Sequence, residues 1–93
     1  MKTILVICKD YRKVKSEMDR IYKEYESLCP IVNLTERTIN VPKMGYLFIF
    51  KTIRDYPERI MGIEVNQVWY DESAEIPVEM MEYLKAHTRK EKT

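Results

Sequence analysis

The sequence predicts an α/β domain, a mixed sheet of about five strands with two amphipathic helices, and three observations carry that expectation. An apolar, β-branched run from Thr3 to Cys8 is followed at once by apolar residues at helical spacing. Between Ile31 and Phe50 three short strand-like runs succeed one another with only turn residues between them. A last apolar run, Val65 to Tyr70, precedes a second helical pattern, giving the order β-α-β-β-β-β-α.

Thr3 to Cys8 is continuous rather than alternating, the pattern of a strand covered on both faces. From Tyr11 onward Val14, Met18, Ile21, Tyr22, Tyr25 and Leu28 recur at three- and four-residue spacing, a single apolar stripe on a helix that Pro30 stops. Ile31 to Leu34, Thr38 to Val41 and Tyr46 to Phe50 are separated by Glu36-Arg37 and by Pro42-Lys43-Met44-Gly45, so an antiparallel meander is expected. Asp55 to Arg59 reads as a loop, and Gly62 breaks the chain before the next strand. Pro77 suits the first position of a helix in which Val78, Met81 and Leu84 share one face.

The 93 residues fit one domain spanning 1–93, with a basic tail, 85–93, that can lie outside its folded part. Apolar residues make up 45% and charged residues 33%, a globular composition, and a net charge of +1 excludes both an acidic mimic of DNA and a basic nucleic-acid coat. The apolar start stops at Asp10, too short for a signal peptide or a membrane span, so a cytoplasmic protein with no membrane partner is expected. Cys8 and Cys29, with no C-x-x-C and a single His, read as buried reduced thiols, and neither a metal nor a cofactor is expected.

Gln67-Val68-Trp69-Tyr70 ends in two adjacent carboxylates, Asp71 and Glu72. In P-loop ATPases a buried strand ends this way where its tip opens on the nucleotide, one carboxylate serving the magnesium shell and the next the attacking water. The phosphate-cradling partner is missing: only Gly45 and Gly62 occur, neither followed by Lys, so no G-x-x-x-x-G-K-[ST] loop exists in this chain. The plainer account of Asp71 and Glu72 is a polar strand end next to a helix start. Ser73 has no His close in sequence to activate it.

Taken in order, these segments resemble the ATPase domain of the large terminase subunit, the DNA-packaging motor of tailed bacteriophages. Thr3-Ile4-Leu5-Val6-Ile7-Cys8 is similar to the strand that follows the P-loop helix in that family, and Leu34 to Pro42 to a hairpin before the phosphate-facing strand. Gly45 to Phe50 is similar to the return strand, Glu58 to Val65 to a loop ending in Arg-Gly, and Val68 to Glu72 with Ala74 to Pro77 to the Walker B strand and its exit. Met61 stands where the family has the Arg before Gly. The resemblance implies a truncated P-loop NTPase-like fold, a phage or prophage origin in a host cytoplasm, vestigial Walker B residues Asp71 and Glu72, and no catalysis without the P-loop.

It also implies that the first strand and Val65–Tyr70 lie side by side with the further flanking strands absent. Val65, Gln67, Val68, Trp69 and Tyr70 then form an edge that a helix covers, a second copy pairs with, or another protein completes, and a lone monomer is not expected. Ile7 and Val68 are expected to be buried in neighbouring strands. The resulting expectation is a non-enzymatic protein that binds a nucleic-acid-processing machine. The alternatives are an interaction module that inhibits a host or defence protein, or a small nucleic-acid binder. The last would use Lys85, Arg89, Lys90 and Lys92, with Tyr46, Phe48 and Phe50 as an aromatic platform if that strand face were open.

Overall fold

The computed structural model describes residues 1–71 and 75–88. Two separate cores meet at the first strand, β1 (Lys2–Cys8), whose alternate side chains feed both. Ile4, Val6 and Cys8 point to one face of the sheet and Leu5 and Ile7 to the other, and all five are buried. A strand that must satisfy an apolar layer on each side has no position for a polar residue, which is why its sequence is an unbroken run.

Helix α1 (Tyr11–Glu24) covers the first face. Asp10 caps it, its side chain accepting from the Lys13 amide at 2.9 Å, and Val14, Met18 and Ile21 face the sheet. The helix ends earlier than its apolar stripe. At Tyr25 the chain tightens into a 3-10 turn, Glu26–Leu28, and leaves through Cys29 in the left-handed region (φ 54°). Tyr25 and Leu28 still pack on the core from this turn, whereas Cys29 is thrown outward, so only Cys8 is the buried thiol that the sequence suggested for both. Tyr22 also departs from the expected stripe and is exposed.

Strands β2 (Ile31–Asn33), β3 (Thr38–Val41) and β4 (Tyr46–Thr52) form the antiparallel meander. β4 then runs parallel to β1, and on the other side of β1 lies β5 (Gln67–Tyr70), also parallel, so the order is β2-β3-β4-β1-β5. Asn66 sets the register of β5: its side-chain oxygen accepts from the Thr3 amide and its own amide donates to the Thr3 carbonyl, both at 2.8 Å. The expected α/β domain with a five-stranded mixed sheet and two helices is the fold.

Helix α2 (Val78–His87) covers the second face, with Pro77 at its N-cap rather than inside it. Met80 and Leu84, not the expected trio of Val78, Met81 and Leu84, seat it on Leu5, Ile7, Ile60 and Val65. Val78 and Met81 are exposed. Lys85 belongs to this helix, so the basic segment expected from residue 85 is helical at least to His87, while Arg89, Lys90 and Lys92 lie outside the described residues.

Candidate functional site

β1, β4 and β5 are parallel, so their carboxyl ends open on one rim of the sheet, the place where ligands bind in open α/β sheets. β1 delivers Cys8 and Asp10 there, β4 delivers Thr52 and the 3-10 turn Ile53–Asp55, and β5 delivers Asp71. The Asp71 amide donates to the Ile7 carbonyl at 2.9 Å, which holds the Asp71 backbone at the end of the β1–β5 pair. Its neighbour Glu72, with Ser73, lies outside the described residues, so the expected pair is placed only by its first member. Burial pushes the Cys8 thiol up to about 12, with the negative charges of Asp71 and Glu17 adding to the effect, so Cys8 is a protonated core thiol and no nucleophile.

The carboxylate that organises this rim is Asp55, a residue read from sequence only as part of a loop. One oxygen accepts from the Thr52 amide at 2.8 Å and the Thr52 hydroxyl at 3.2 Å, and the other accepts from the Tyr11 hydroxyl at 3.1 Å. Burial raises its carboxyl, yet these donors and nearby Lys51 outweigh burial and hold it below the usual carboxylate range. Tyr11, so fixed, carries the Arg37 guanidinium 4.1 Å above its ring, which ties the β2–β3 turn to the start of α1. The signal for Asp55 was present as Thr52-x-x-Asp55, a capping box, but it sat outside any long helical pattern.

The second location is the outer side of β5. Among the described residues its ladder partner is β1, and the only further pairing is a parallel bridge from Val65 to Thr88, just past α2. Val65 is buried, Gln67 and Val68 are half-buried, and Trp69 and Tyr70 are 37% and 40% exposed. Trp69 turns to the α1 side, its ring 5.6 Å from that of Phe48, while Val68 and Tyr70 turn to the α2 side. There they line, with Val78, Met81 and Lys85, an open groove of about 670 Å³. The structure therefore brings together the expected edge residues and one expected cation. Val68, expected in the interior, is instead on the rim strand.

The aromatic platform is closed. Phe48 and Phe50 are buried beneath α1, and Tyr25 packs tilted and Tyr46 edge-on against Phe48, so this face of β4 is core and offers no stacking surface. Among the described residues no three His, Cys, Asp or Glu side chains come together as a metal site, and no helix is long and apolar enough to cross a membrane. Compared with protein-family models, with curated proteins and with solved structures, the chain has no match in any of the three.

Proposed function

We propose that this chain is a binding module on an incomplete terminase-like ATPase fold. It works by pairing its open sheet edge with a strand of another polypeptide in a nucleic-acid-processing machine, and it does not turn over nucleotide. The terminase part of this reading rests on the ordered sequence segments alone. The binding part is supported by one structural observation: among the described residues β5, which carries Val68, Trp69 and Tyr70 and leads into Asp71, is an edge strand of the sheet.

An unpaired strand rail is a row of donors and acceptors without partners, and each ladder hydrogen bond completed by an incoming strand contributes a net of about 0.5 to 1.5 kcal/mol. The bridge between Val65 and Thr88 is an instance of a second chain segment meeting this rail. Beside it the Val68, Tyr70, Val78 and Met81 groove receives every second side chain of such a strand, the division of labour of β-strand addition. Nucleotide turnover is left out because phosphoryl transfer depends on positioning by P-loop amides and a P-loop Lys, and the chain has no such loop.

Amide hydrogen exchange across Gln67–Tyr70 tests the reading. In the dilute monomer the outward amides should exchange far faster than those of β1. Uniformly slow exchange along β5 in a monomer would mean that the edge is already closed, and the reading would fail.

A further inference from the structure

The opposite end of the sheet carries a second surface. Strands lie about 4.8 Å apart and a helix is about 10 Å across, so one helix covers two or three strands of five. α1 packs over β1, β3 and β4. The cover ends within one row of cross-strand partners: Ile39 on β3 is 0% exposed, and Val32, its direct partner on β2, is 37% exposed. Beyond Val32, Leu34 is 78% exposed. The strip left between α1 and the rim strand is a groove of about 780 Å³, with Val14 and Met18 in its floor and Val32 and Leu34 on its wall.

Its rim is cationic. Arg12 and Lys15 stand on the α1 side and Arg37 on the turn side. Arg12 and Lys15 have no ion-pair partner among the described residues, and Arg37 is spent only on the Tyr11 ring. The one acid on the rim, Asp19, is already paired with Lys23 at 3.2 Å. Arg37 is held in place twice over, by its left-handed backbone (φ 54°), whose carbonyl accepts from the Phe50 amide at 3.0 Å, and by its stack on a tyrosine anchored to Asp55.

We propose that this groove docks an acidic amphipathic helix of a partner protein. Its apolar stripe sits on Met18, Val32 and Leu34 in the place a second helix of this layer would take, and its flanking carboxylates meet Arg12, Lys15 and Arg37. A helix-in-groove contact uses apolar anchors at i, i+3, i+4 and i+7, and here the floor is aliphatic. A nucleic-acid strand needs a run of open ring faces for its bases, whereas of the two tyrosines lining the groove Tyr11 has one face taken by Arg37, which leaves Tyr22 alone.

The test uses synthetic peptides as long as α1, with leucines at that helical spacing and either glutamates or lysines on the flanks, and a short oligothymidine as the third probe. Fluorescence anisotropy at low salt should rank the glutamate peptide at least about tenfold tighter than the lysine peptide and the oligothymidine. Arg12→Glu with Lys15→Glu should reverse the peptide preference, and Val32→Asp or Leu34→Asp should weaken the glutamate peptide about tenfold. All four positions except Val32 are largely exposed, so circular dichroism should be unchanged, and Leu34→Asp stands in if Val32→Asp disturbs the rim strand. Equal binding of the two peptides, no binding of either at millimolar concentration, binding indifferent to these variants, or preference for the oligothymidine would each overturn the proposal.

Discussion

Removing the Asp55 carboxylate perturbs the rim of the sheet at its most connected point. In Asp55→Ala three hydrogen bonds to a charged acceptor disappear, and the buried Thr52 amide and hydroxyl are left without a partner. Bonds to charged groups are worth about 1.5 to 3 kcal/mol each, and an unpaired buried donor costs about 1 to 3 kcal/mol, but the Tyr11 hydroxyl can turn to water. The expected loss is about 3 kcal/mol, a large fraction of the roughly 5 to 10 kcal/mol that holds a domain of this size. Asp55→Asn keeps the shape and one acceptor, so about 1 kcal/mol is expected, the cost of losing charge on the retained bonds. Urea denaturation followed by Trp69 fluorescence measures both variants.

The pH dependence separates charge from shape. Because the folded-state carboxyl lies below its unfolded value, its contribution is present above the unfolded pKa and is lost as pH falls through the folded one. The gap between native and Asp55→Asn should therefore be full at neutral pH and close as the solution is acidified below the ordinary carboxylate range. An alanine variant within about 0.5 kcal/mol of the native protein, below what a single buried hydrogen bond contributes, would refute the reasoning.

Other measurements address the rest of the molecule. Ile7→Ala should cost about 3 to 4 kcal/mol and Val68→Ala less than about 1.5, because the first lies in the closed core and the second on a rim strand; equal costs would place both in the interior. A thiol reagent at pH 8 should modify Cys29 in the native protein and Cys8 only after unfolding, and a native stoichiometry of two would contradict the burial of Cys8. Since the Cys8 thiol is raised when folded, stability should decline as pH climbs from the ordinary value of 9.0 toward about 12, and a Cys8→Ala protein should lack that component. Calorimetric titration with magnesium ATP should give no heat of specific binding, and micromolar binding abolished by Asp71→Ala would defeat the non-catalytic reading. Light scattering at micromolar concentration shows whether a second copy is the strand that the β5 edge takes.

How much could be read from the sequence depended on whether a residue's neighbours were implied by its own pattern. β1 was legible because burial on both faces leaves an unbroken apolar run, and the meander because its turn residues sit between its strands. The edge position of β5 followed from a resemblance, and the pairing of Ile4 with Gln67 bears out the adjacency. Helix α2 was misfaced because Met80 with Leu84 and Val78 with Met81 are equally periodic, and only the position of the sheet selects between them. Alternation placed Phe48 and Phe50 on one side of β4 but could not say that α1 lies over that side. Asp55 was missed because its local signal, the capping box with Thr52, sits outside any long helical pattern, and its other donor, Tyr11, is 44 residues away in sequence.

Strand β1, buried between β4 and β5, is made before either of the strands that pair with it. Ile4 lies between Phe48 of β4 and Gln67 of β5, so β1 has no strand to pair with until most of the chain has been made. The β2–β3–β4 meander, by contrast, closes through short turns and can form on the microsecond scale of a hairpin. Non-local parallel pairings pay their loop-closure entropy before they return any contact, and they slow folding accordingly. A nascent chain of this protein thus carries the apolar run 4–8 without a partner strand until β4 has been made. Its meander is the platform on which that segment is finally sheltered.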